Sequence, residues 1–139
     1  MNAPGVPPQD RILLIDDDEQ VAGSLREYLT RHGSLVDVAL EPSSAQTLMR
    51  AGVYDVVLVD PFLTGGVHEA GGALLASIRE LQPCAALIVL TGYPSAALEE
   101  AAAGGRLTTL LNKPQSVVSL SELLVSASQT AISIKGQPQ

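Results

Sequence analysis

Three aspartates, Asp16-Asp17-Asp18, follow directly on the apolar run Ile12-Leu13-Leu14-Ile15. A further aspartate, Asp60, ends the run Val56-Val57-Leu58-Val59 and is followed by Pro61. Thr91 ends Leu87-Ile88-Val89-Leu90, and Leu107 to Leu111 leads into Asn112-Lys113-Pro114. If these runs are neighbouring parallel strands, their polar ends meet at one edge, where open α/β sheets place their ligands. Crowded carboxylates repel one another, so either one holds a proton or a cation is bound. A set made only of oxygen donors favours a hard divalent ion. Mg²⁺ suits a shallow, hydrated site, with Mn²⁺ as the alternative. Beside a carboxylate and a lysine, such a cation makes a phosphoryl-transfer arrangement. The cation and Lys113 would neutralise phosphoryl oxygens, and one carboxylate can be the nucleophile.

The elements that must position these residues are read from periodicity. Short, near-continuous apolar runs predict buried parallel strands at 11–15, 55–59, 86–90 and 107–111, with a more alternating strand at 35–40. A helix is predicted from Glu19, with Val21, Leu25, Tyr28 and Leu29 inward and Gly33 as its stop. Pro42 opens a second helix, with Ala45, Leu48 and Met49 inward and Gly52 at its end. Helices are predicted at 73–81 (Leu74, Leu75 and Ile78 inward), at 96–103, and from Ser116 (Val117, Leu120, Leu123, Leu124 and Ala127). Strand and helix alternate throughout. That predicts an α/β fold, a doubly wound five-stranded parallel sheet with helices on both faces. The Pro-rich residues 1–9 read as a disordered lead, 10–130 as one domain, and 131–139 as a frayed tail.

Composition bounds the function. Eight basic against fifteen acidic residues give a net charge of -7, with no basic stripe. That argues against nucleic acid and anionic membranes as partners. No apolar stretch approaches the ~20 residues of a membrane span, and the N-terminus lacks a signal-peptide pattern. Cys84 is the single cysteine, so a reducing compartment, the cytoplasm, fits. Its expected state is a buried or half-buried thiol.

Each chemical residue also has a structural reading. Asp18 can be a helix cap. Lys113 can be a solvated turn residue, and Thr91 a satisfied strand-end hydroxyl. Polar residues of this kind at four strand ends, in order along the chain, argue jointly for a site.

The pieces 12–18, 56–60, 88–92 and 111–114 together resemble the receiver domain of two-component response regulators, over about residues 10 to 130. The resemblance implies a flavodoxin-like (βα)5 fold with strand order 2-1-3-4-5. It implies that Asp60 accepts a phosphoryl group from a histidine kinase or phosphotransfer protein. Asp17, Asp60 and the Phe62 carbonyl would ligate Mg²⁺, with Asp16 acting through water. Lys113, set by a cis peptide to Pro114, would pair with the phosphoryl group, and Thr91 would hydrogen-bond it. Slow autodephosphorylation is the one implied hydrolytic activity. The output protein is unknown, and a monomer or weak homodimer is expected.

The chain departs from the family pattern in three places. Leu110 stands where receivers carry Tyr or Phe, so output is expected to work without that switch. The loop at 61–72 is expected to be mobile and about three residues longer than usual. We expect a tolerated insertion with His68 exposed. Phe62 and Tyr93 are expected to flank the phosphoryl group and slow its hydrolysis. Two alternatives stand beside this reading: a degenerate receiver that binds without phosphorylation, and a haloacid-dehalogenase-like phosphatase. A nucleotide fold is disfavoured, because aspartates stand where a glycine-rich phosphate loop would be.

Overall fold

The structure, a computed structural model, describes residues 10–60, 68–92, 108–113 and 115–135. In chain order the elements are β1 (Arg11–Ile15), α1 (Glu19–Arg31), β2 (Leu35–Ala39), α2 (Pro42–Ala51) and β3 (Val56–Val59). They continue with α3 (His68–Leu81), β4 (Ala86–Thr91), β5 (Thr108–Asn112) and α4 (Val117–Lys135). The sheet is five-stranded and parallel, in the order β2-β1-β3-β4-β5.

A strand sends successive side chains to opposite faces, and this divides the core in two. Leu13, Ile15, Val57, Val59, Leu87 and Val89 face α2 and α3, where they meet Ala45, Met49, Leu74, Leu75 and Ile78. Ile12, Leu14, Val56, Leu58, Ile88 and Leu90 face α1 and α4, where they meet Leu25, Leu29, Leu120 and Leu124. Burying each of the Val, Leu, Ile and Met side chains contributes about 1.5–3 kcal/mol. That is why β3 is apolar throughout, and why β1 after Arg11 and β4 before Thr91 are apolar at every position.

The helix ends follow local chemistry. Asp18 caps α1, its carboxylate accepting from the N–H groups of Gln20 and Val21 at 3.1 Å each. Gly33 ends α1 with φ 95°, a conformation that glycine adopts without strain. Within α1 the inward residues are Ala22, Leu25 and Leu29. Tyr28 lies at the margin and stacks on His32, ring centroids 4.4 Å apart.

Three expectations are corrected. Helix α3 begins at His68, not Ala73, so residues 68–72 are helix and not mobile loop. Glycine inside a helix costs about 1 kcal/mol, which the buried Leu74, Leu75 and Ile78 that follow offset. Helix α4 runs to Lys135, past the point where a frayed tail was expected. No glycine or proline interrupts it before Gly136. Cys84 is exposed, because β4 starts only at Ala86 and Pro83-Cys84 form a surface turn. The predicted helix at 96–103 and the segment 61–67 lie outside the described residues.

Among the described residues, no helix is long and apolar enough to cross a membrane.

Candidate functional site at the carboxyl edge of the sheet

Register brings the acids together. Ile15 pairs with Val59 across β1 and β3, so the residues that follow them, Asp16 and Asp60, emerge side by side. The backbone fixes both. The Asp60 N–H donates to the Ile15 carbonyl at 3.0 Å, and the Asp16 N–H to the Ala39 carbonyl at 3.1 Å. Asp16 is buried, and its carboxylate accepts from the Asp18 N–H at 3.0 Å. Asp17 turns outward and is exposed.

Lys113 arrives from the far side of the sheet. Thr91 pairs with Asn112 across β4 and β5. One residue on, the Lys113 N–H donates to the Thr91 carbonyl at 2.8 Å. The Gln115 side-chain amide donates to the Asn112 carbonyl at 2.8 Å. From this turn the Lys113 ammonium reaches an Asp60 carboxylate oxygen at 2.7 Å and an Asp16 oxygen at 3.6 Å. Thr91 itself is completely buried.

The charges respond to one another. Burial pushes the Asp16 carboxyl above the usual carboxylate range, and repulsion from Asp60 and Asp17 adds to the rise. The Asp18 N–H and Lys113 oppose it. For Lys113, burial favours the neutral amine, but its hydrogen bond to Asp60 and the two carboxylates outweigh that and raise its pKa. The ammonium therefore supplies the neutralising charge between Asp16 and Asp60.

The donors fit a hard cation in type, since all are oxygens. In this arrangement Lys113 occupies the gap. Among the described residues, no three His, Cys, Asp or Glu side chains close on one point. Of the expected site residues, Lys113 contacts both Asp60 and Asp16, which lie close enough for Asp60 to raise the pKa of Asp16. Asp17 lies close enough to raise the pKa of Asp16, and Thr91 stands at the adjoining strand end. Phe62, Tyr93 and Pro114 lie outside the described residues. Leu110 is half-buried, pairs with Val89 and packs against the α2/α3 side of the core. Sequence reasoning missed Gln115. A polar residue after Lys-Pro carries no periodic signal.

Residues 12–125 match the family model of the response regulator receiver domain. The chain belongs to that family. A response regulator receiver protein of Anaeromyxobacter sp. (strain Fw109-5) is 30% identical over 113 residues, 81% of this chain and 46% of that protein. The photosynthetic apparatus regulatory protein RegA of Cereibacter sphaeroides is 26% identical over 119 residues, 86% of this chain and 63% of RegA. The receiver thus spans about half to two thirds of these relatives. A response regulator of Burkholderia pseudomallei, crystallised with a phosphorylated aspartic acid, a calcium ion and citrate, superimposes with TM-score 0.72 at 31% identity. That match covers 92% of this chain and 74% of the other. A receiver domain of Methanospirillum hungatei JF-1 shares the fold, with TM-score 0.80 at 23% identity over 91% and 98% of the two chains. The family match decides against the haloacid-dehalogenase-like alternative.

Proposed function

We infer that this receiver is a phosphorylation-controlled interaction module with Asp60 as its phospho-acceptor. The observation that carries the reading is the Lys113 ammonium at 2.7 Å from Asp60 and 3.6 Å from Asp16. An Asp60 oxygen attacks the phosphorus of a phosphohistidine. An O–P bond forms, the N–P bond breaks, and the imidazole leaves with the electron pair. Lys113 then moves its charge from the bare carboxylate to a phosphoryl oxygen, while the Thr91 hydroxyl donates to another. Asp16, Asp17, Asp60 and the Phe62 carbonyl would hold Mg²⁺ or Mn²⁺, which supplies further neutralisation of phosphoryl charge. The Burkholderia relative, with its phosphorylated aspartate and calcium ion, supports this reading.

The phosphoryl donor is a histidine kinase or a phosphotransfer protein in the cytoplasm. The recipient of the signal is an output domain or protein that reads the phosphorylated state. Slow hydrolysis of phospho-Asp60 resets the site. Phe62 and Tyr93 slow that hydrolysis, so Phe62→Asn with Tyr93→Ala should shorten the lifetime of the phosphorylated state. An unaltered decay would remove shielding as the reason. Leu110 offers no ring to swing, so output proceeds without an aromatic switch. Selective loss of phospho-dependent binding in Leu110→Ala would contradict this.

The deciding experiment is incubation with Mg²⁺ and acetyl phosphate, read by mass. Wild type should gain one phosphoryl group and Asp60→Asn none. A wild type that gains nothing from acetyl phosphate or a phosphohistidine donor is a receiver that binds without phosphorylation.

A further inference from the structure

The peptide unit joining Asn112 to Lys113 is held at both of its polar ends. Its carbonyl accepts the Gln115 amide at 2.8 Å, and its N–H donates to the Thr91 carbonyl at 2.8 Å. A peptide unit is planar and includes the following Cα. Fixing its oxygen and its nitrogen therefore fixes where the Lys113 side chain leaves the backbone. Lys113 is the last link before the Asp60 contact at 2.7 Å, and a long flexible side chain otherwise has many places to go. The Thr91 contact continues the strand ladder, which any residue pair could make. The Gln115 contact depends on a side chain, and this sequence supplies it.

We propose that Gln115 is a positioning residue for Lys113, clamping the Asn112 carbonyl so that the ammonium is delivered between Asp60 and Asp16. The proposal rests on the phospho-acceptor reading for its effect on rate, though not for its effect on the ammonium. Gln115 is exposed, so water competes for the same carbonyl and the effect is modest. One such hydrogen bond corresponds to a change of about three- to tenfold.

The test compares wild type with Gln115→Met, which keeps the length but has no donor, and Gln115→Glu, which keeps only acceptors. Each is also made in a Lys113→Met background. With Mg²⁺ and acetyl phosphate, both single variants should gain mass about three- to tenfold more slowly than wild type. The same substitutions in the Lys113→Met background should have no further effect. An unchanged rate, or an equal fractional loss without Lys113, overturns the proposal. A second readout needs no phosphoryl donor. The proton–nitrogen resonance of the Lys113 ammonium, assigned by its loss in Lys113→Met, should shift or broaden in Gln115→Met. An unmoved resonance overturns the positioning role. If wild type gains no mass, the phospho-acceptor reading fails by itself, and this resonance alone decides the role of Gln115.

Discussion

Lys113 and Asp60 are 53 residues apart in the chain, and their charged atoms are 2.7 Å apart in the fold. The lysine leaves β5 and the aspartate leaves β3, with β4 between them. The contact therefore reports on three strands at once. It also makes the ammonium a structural member of the site in its own right.

Lys113→Met should destabilise the receiver as well as silence it. It leaves Asp16 and Asp60 adjacent without a counter-charge, and the Asp16 pKa should rise further. The lysine is 31% exposed, so solvent screens part of the interaction, and about 1–2 kcal/mol at neutral pH is expected. Because folding raises the Lys113 pKa, its contribution is complete below the ordinary lysine range and is lost as pH rises through the raised value. Urea midpoints from neutral to alkaline pH should show the wild-type advantage shrinking at the top of that window. A variant as stable as wild type would show that the ion pair contributes nothing.

Asp16→Asn should stabilise the protein at neutral pH. Folding raises the Asp16 pKa, chiefly by burial, so the native state holds that proton more tightly than the unfolded chain. Stability then falls as pH rises from the ordinary aspartate range through the raised value, and the loss persists above it. Asparagine has no such loss. The difference between variant and wild type, followed by denaturant unfolding from acid to neutral pH, should grow over that window and then level off. A difference that stays flat would show that Asp16 titrates as it does in the unfolded state. The same variant should phosphorylate poorly, a stability gain set against function.

Gln82 should be one of the costliest polar residues to remove. It is 5% exposed. Its amide donates to the carbonyls of Met49 at 2.8 Å and Gly52 at 2.7 Å, and its oxygen accepts the Tyr54 N–H at 2.9 Å. It thus ties the end of α2 to the approach to β3. Gln82→Ala strands these groups and should cost about 2–4 kcal/mol. Gln82→Glu turns a carboxylate on two carbonyls, so it should be unstable at neutral pH and recover partly on acidification. Thermal unfolding at two pH values checks both variants, and a loss below about 0.5 kcal/mol for Gln82→Ala would contradict the role.

Ser121→Ala and Ser128→Ala should each stabilise by about 0.5–1 kcal/mol. Both serines are buried in α4, and both hydroxyls lack a hydrogen-bond partner among the described residues. Alanine removes the stranded hydroxyl and favours the helix. Midpoints should rise by a few degrees, and a fall would mean that the hydroxyls are satisfied in solution.

Much of the site is legible in the sequence because strand ends carry it. Asp16, Asp60 and Thr91 each terminate an apolar run and Lys113 follows one by a single residue, and parallel pairing brings such ends to one edge. Asp18 as a helix cap is legible for a similar local reason. What stays hidden depends on relations that periodicity does not encode. The clamps by Gln82 and Gln115 join polar side chains to backbone carbonyls, and no spacing announces them. Cys84 is misread because composition tells how often a thiol is buried but not where a strand begins. The start of α3 at His68 is missed because the pair Gly71-Gly72 suggests a loop, while the packing that follows holds it in helix.

Strand β1 is paired on both sides, by β2 and β3, whereas β5 closes the order beside β4. The carboxylates near β1 and β3 are therefore rooted in the most protected ladder, and the ammonium hangs from a margin. In hydrogen exchange the amides of β5 should open at lower free energy than those of β1. Of the charges that meet at Asp60, the positive one is then carried by the strand expected to open first.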